Sequence, residues 1–148
     1  ALRLHRPLPR VPAGLALRGL ASAAIDLSDG LAGDLRHILK ASGVGADIQL
    51  NTLPRSEDFL RLRHSVGGLF PGDHSLQYQL AGDDDYELCF CLPPQQLEAA
   101  RSAVTPAFSV IGVITPGPGL RWLDAAGAQV KLALGGYDHF ASSSHTNK

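Results

Sequence analysis

Apolar and polar positions alternate with different periods along the chain, and each change of period marks an element. Ala23, Ala24 and Ile25 form a short apolar run that ends at Asp26, which predicts a strand. Leu31, Leu35, Ile38 and Leu39 then recur at helical spacing, so a helix is expected to begin just after Ser28-Asp29-Gly30. It should stop at Ser42-Gly43-Val44-Gly45, because glycine takes the left-handed conformation that ends helices. Ala46 to Leu50 alternates and reads as a strand. Upstream, residues 1–10 carry Pro7 and Pro9 and read as an extended lead-in. Pro12 can open a short helix over Ala13 to Leu20, with Leu15, Ala16 and Leu20 on one side.

Downstream, Ser56 caps a helix carrying Phe59, Leu60 and Leu62, and Gly67 to His74 reads as a loop. Leu76 to Leu80 fits either period. After the loop Gly82-Asp83-Asp84-Asp85, Tyr86 to Leu92 is a strand. Its alternation puts Tyr86, Leu88, Phe90 and Leu92 on one face and Glu87, Cys89 and Cys91 on the other. Pro93-Pro94 breaks it, Gln95 to Val104 reads as a helix, and Phe108 to Ile114 as a β-branched strand. Thr115 to Gly119 is a turn, and Leu120–Leu123 with Gln129–Leu134 forms a hairpin around Asp124 to Gly127. Ala141 to Lys148 reads as a disordered polar tail. Helices and strands interleave early and hairpins dominate late. The expected class is α+β, an α/β sandwich with a mixed, largely antiparallel sheet and helices packed on it.

Composition narrows the function. The 148 residues suffice for one domain with its own core. Thirteen Lys and Arg against 14 Asp and Glu leave a net charge of −1, with no electrostatic footprint for nucleic acid or an anionic membrane. No apolar run approaches the roughly 20 residues that span a bilayer, and no secretory leader is visible, so a cytoplasmic protein is expected. Cys89 and Cys91 fall on the same face of that strand, and a lone C-x-C without a second ligand pair is a weak zinc signal. Met is absent even at position 1, which suggests a processed or truncated chain. There is no P-loop and no nucleophile elbow.

Three segments carry candidate chemistry. Asp26-Leu27-Ser28-Asp29-Gly30 lies where a strand ends and a helix begins, a place that offers free N–H groups to phosphate. Asp26 and Asp29 add the oxygen ligands that Mg²⁺ prefers; ordinary helix capping uses the same residues. Gly82-Asp83-Asp84-Asp85 concentrates carboxylates, which suits either open solvent or a cationic ligand. Gly136-Tyr137-Asp138-His139-Phe140 could stack aromatics on a planar ring or anchor the core.

The ordered set of these strings resembles the C-terminal half of the thiamine-monophosphate kinase family. The matching strings are Ala21 to Ile38, Gly82 to Leu88 and Gly136 to Phe140, supported by Lys40 to Ala46, Leu53-Pro54 and Ile111-Gly112. The resemblance runs from about Arg6 to Phe140 and extends to a superfamily with aminoimidazole-ribonucleotide and selenophosphate synthetases. It implies transfer of the ATP γ-phosphate to thiamine phosphate, giving thiamine diphosphate, with Mg²⁺ ions. By match to the family's motifs, Asp26 and Asp29 bind metal, Ser28 contacts the nucleotide, and Asp84 and Phe140 contact the substrate. No residue is assigned as a general acid or base. The family's second glycine before the acidic pair is Asp83 here, so Asp83 and Asp85 stay open beside Asp84 as the substrate contact. The resemblance also implies that residues 1–140 are a C-terminal domain. Its own N-terminal ATP and Mg²⁺ domain is then absent, the full-length protein is a homodimer, and the fragment alone is inactive. The alternatives are a catalytically silent binding or dimerisation module, or a sister synthetase acting on another acceptor.

Overall fold

Leu31, Leu35 and Leu39 fall on one side of a 12-residue helix, and burial of that side organises the fold. The computed structural model describes residues 9–55, Leu80 and residues 87–132. Within them the order is α1 (Val11–Ala16), β1 (Ala23–Asp26), α2 (Leu31–Ser42), β2 (Val44–Gln49), β3 (Leu88–Cys91), α3 (Leu97–Ala103), β4 (Gly112–Pro116), β5 (Gly119–Leu123) and β6 (Gln129–Val130). Short 3-10 turns cover Leu50–Thr52 and Pro94–Gln96. The predicted helix over 56–63, the loops at 67–74 and 82–85, the glycine-aromatic string 135–140 and the tail 141–148 lie outside the described residues.

Two sheets share the core, and their pairing is mixed and mostly antiparallel, as expected. β1 and β3 form an antiparallel ribbon in which Asp26 faces Leu88 and Ala23 faces Cys91. The second sheet has the order β4-β2-β5-β6. β2 is antiparallel to β4 and parallel to β5, and β5 and β6 form the expected hairpin. At its turn the Asp124 carboxylate accepts from the Ala126 and Ala128 amides, and Gly127 takes a φ of 81°.

The ribbon is covered on both faces. Cys89 and Leu27 pack against the cluster of Leu31, Leu35, Leu39, Ala46, Ile48, Leu80 and Trp122. Leu88, Phe90 and Leu92 pack against Ala13, Leu17 and Val104. Leu88, Phe90 and Leu92 thus share one face and Cys89 the other, as expected, while Tyr86 lies outside the described residues and the ladder itself runs only from Leu88 to Cys91. α2 ends as expected, with Gly43 in the left-handed conformation at φ 66°.

Several boundaries differ from expectation, among them β2, which runs Val44–Gln49 rather than Ala46 to Leu50. α1 stops at Ala16, and its buried side is Ala13 and Leu17, while Leu15 is exposed. Ala13 and Leu17 are the pair that meets Leu88 and Phe90 across the second cluster. The strand expected over 108–114 begins instead at Gly112 and continues to Pro116, into the expected turn. Phe108 is held away from the ladder by an edge-to-face contact with Phe90, with centroids 5.1 Å apart. The helix expected over 95–104 starts as a 3-10 turn and becomes α3 only at Leu97.

Burial, the neighbouring Cys91 and the charge of Asp34 push the Cys89 thiol up to about 11. Burial also raises Cys91. Both thiols are thus expected to stay protonated and to react slowly with iodoacetamide at pH 8, since the thiolate is the nucleophile. Labelling of native Cys89 as fast as in the unfolded chain would contradict this. A thiol held neutral by the fold favours the folded state below its ordinary pKa. That advantage is lost as pH rises toward about 11.

Candidate functional site

The site begins where β1 ends. Ala23 and Ile25 turn inward, which directs Ala24 and Asp26 outward, so alternation alone exposes the Asp26 carboxylate. The chain then turns through Leu27, Ser28 and Asp29 to Gly30, which begins α2 with φ 83° and ψ 157°. That combination belongs to glycine, because a side chain in this region is strained. Ser28 and Asp29 are both exposed. Asp29 leans over the first turn of α2, and a Cβ placed on Gly33 would lie 3.6 Å from the Asp29 Cβ. Asp26, Ser28 and Asp29 are therefore brought to one exposed corner.

Gly30 offers α2 no side-chain cap. The amides of Gly33 and Asp34 both donate to the Gly30 carbonyl. Those of Leu31 and Ala32 have no acceptor among the described residues. Open amides at a helix start, next to two carboxylates and a hydroxyl, suit an anion bound together with its cation.

Glu87 and Leu88, the described end of the second motif, lie beside the same corner. The Leu27 amide donates to the Glu87 carbonyl at 2.8 Å, extending the β1–β3 ladder by one step beyond Asp26. Glu87 is itself held. Arg10, just before α1, donates from Nε to the Glu87 carboxylate at 2.8 Å and also from its second nitrogen, forming a fork. The hydrogen bond to Glu87 raises the Arg10 guanidinium above its usual value. Asp84 and Phe140, the expected substrate contacts, lie outside the described residues, as do Asp83 and Asp85.

Two features of this corner escape sequence reasoning. One is the Arg10–Glu87 fork, which joins residues 77 apart. The other is Asp34, which is 3% exposed and accepts through Oδ2 from the Ser28 amide at 2.8 Å and the Asp29 amide at 3.0 Å. A signal for Asp34 was available. In Leu31-x-x-Asp34-Leu35-x-x-Ile38 a carboxylate occupies a position on the apolar stripe.

The donor set fits Mg²⁺. Among the described residues no group of three or more His, Cys, Asp or Glu side chains forms a closed metal cage. Mg²⁺ keeps several waters and commonly uses one or two carboxylates plus substrate phosphates, which is what Asp26 and Asp29 offer.

The exposed acidic corner therefore sits at a strand-to-helix junction on a mixed α+β scaffold. The chain matches AIR synthase related protein, C-terminal domain, over residues 2–123, and it belongs to that family. Its relatives narrow the class. It is 43% identical over 141 residues to the thiamine-monophosphate kinase of Salmonella typhimurium (strain LT2), covering 93% of this chain and 41% of that protein. The crystal structure of thiamine-monophosphate kinase from Stenotrophomonas maltophilia is similar over 80% of this chain and 37% of that one, at 38% identity and a TM-score of 0.68. AaThiL complexed with AMPPCP and TMP is similar over 88% of this chain and 38% of that one, at 27% identity and a TM-score of 0.69. The chain spans about two fifths of the length of the curated relatives it matches. Among the described residues, no helix is long and apolar enough to cross a membrane.

Proposed function

We propose that this chain is the C-terminal domain of a cytoplasmic kinase that transfers the γ-phosphoryl group of ATP to thiamine phosphate, giving thiamine diphosphate and ADP. The observation that carries the reading is the gathering of Asp26, Ser28 and Asp29 on one exposed corner, with Glu87 bonded to Leu27 beside them. The complex of AaThiL with AMPPCP and TMP supports it, since that relative is similar over 88% of this chain.

In this reading Asp26 and Asp29 hold Mg²⁺, and Ser28 contacts the nucleotide. Mg²⁺, when bound, supplies charge neutralisation to the phosphates. The open Leu31 and Ala32 amides favour negative charge at the same corner. Asp84 and Phe140 meet the cationic and flat parts of the thiamine group, by match to the family's motifs. The attacking oxygen belongs to a phosphate already ionised at neutral pH, so no side chain here is needed as a general base. The remaining length of the relatives corresponds to an N-terminal domain that completes the ATP site. The complete protein is a homodimer.

The test joins this chain to the complementary N-terminal part of the Salmonella typhimurium relative. With ATP, Mg²⁺ and thiamine phosphate, the hybrid is expected to form thiamine diphosphate. The 148 residues alone are expected to give no turnover and weak or undetectable ATP binding by calorimetry. A hybrid that phosphorylates only some other acceptor would overturn the reading.

A further inference from the structure

We propose that Asp34 is a positioning residue for the Asp26–Asp29 loop, setting the direction in which its metal-binding oxygens point; the inference rests on the kinase reading above. Side chains on a helix tilt toward its N-terminus. From the first turns of α2, Asp34 therefore reaches back under the loop rather than out to solvent. Its Oδ2 accepts from two consecutive amides, those of Ser28 and Asp29. A buried carboxylate is costly unless hydrogen-bonded, and these two bonds are its partners among the described residues.

The consequence is directional. With both N–H groups turned inward onto Asp34, the side chains of Ser28 and Asp29 are left facing solvent, and both are exposed. The Ser28 and Asp29 amides are also removed from the donors available to a phosphate. The Leu31 and Ala32 amides remain open. Asp34 touches neither substrate nor metal in this arrangement. It acts through the backbone of the two residues that do, much as outer-shell partners orient metal ligands elsewhere. Local turn chemistry does not supply this order, because Gly30 has no side chain with which to cap the helix.

The test has one readout that needs no activity. In the 148-residue chain, amide hydrogen exchange at Ser28 and Asp29 is measured for the wild type, Asp34→Ala and Asp34→Asn. Asp34→Ala is expected to accelerate both amides by about tenfold or more, while Asp34→Asn, which keeps an acceptor oxygen, stays within about threefold. The same substitutions in the hybrid kinase are then titrated with Mg²⁺. Asp34→Ala is expected to raise the Mg²⁺ concentration at half-maximal turnover about tenfold, with most of the loss restored in Asp34→Asn. Unchanged exchange in Asp34→Ala overturns the inference, and so does faster exchange with an unmoved Mg²⁺ midpoint. Equal damage from Ala and Asn also overturns it, because then the acceptor geometry is not what matters. Asp26→Ala is run alongside. If it leaves the Mg²⁺ midpoint and turnover unchanged, the kinase site itself is misplaced, and the exchange result on Asp34 stands separately.

Discussion

Asp26→Ala in the hybrid kinase is expected to lower kcat by roughly 10³-fold, equivalent to about 4 kcal/mol of transition-state stabilisation. Phosphoryl transfer offers few covalent tasks to a protein, so most of the rate must come from positioning and charge neutralisation. Asp26 and Asp29 are the described carboxylates that face outward at this corner. Removing either takes away a large share of what the chain contributes. Asp29→Ala is expected to behave alike. Neither change should lower the melting temperature of the chain, because both side chains are exposed and neither carboxylate accepts a hydrogen bond from another described residue. That separation of activity from stability distinguishes a metal-holding role from helix capping. A capping role predicts the reverse pattern, with a loss of about 1 kcal/mol of stability and little change in turnover. Near-normal turnover of Asp26→Ala at saturating Mg²⁺ would remove the assignment.

The parts of this site that were legible in the sequence are those built from neighbouring residues. The β1–α2 junction follows from a change of period between Ile25 and Leu31, and the end of α2 from Gly43. The two faces of β3 follow from simple alternation. What could not be read depends on partners far along the chain. Glu87 finds Arg10 from 77 residues away. β2 takes β5 as a parallel neighbour and β4 as an antiparallel one, although β4 and β5 are consecutive in sequence. Periodicity describes one element at a time and is silent about which edge a later strand will choose. Asp34 is an intermediate case. Its place on the apolar stripe was visible, but a carboxylate there can face the core only if donors wait for it, and those donors exist only once the loop has turned back over the helix.

The boundary of β4 shows the same limit, and it yields the largest expected effect on stability. β-branched residues pointed to a strand from Phe108, yet the ladder begins at Gly112, opposite Ile48. A Cβ on Gly112 would lie 2.1 Å from the Asp47 carbonyl oxygen and 2.8 Å from Cδ1 of Ile48. The first obstacle is backbone, so it cannot be relieved by a rotamer change. Gly112→Ala must therefore move β4 away from β2, opening the sheet beside the buried Ala46 and Ile48. The expected loss is about 3 kcal/mol, at the upper end for overpacking, or a fall in melting temperature of about 9 °C for a chain of this size. Gly127→Asn is the control. Gly127 has a positive φ, at 81°, which Gly112 lacks, but no atom within 4 Å of an added Cβ, and Asn tolerates that conformation. It should change the melting temperature by no more than about 3 °C. Equal effects of the two substitutions would show that close approach adds nothing at Gly112. The β2–β4 contact would then not be the constraint that sets where the strand begins.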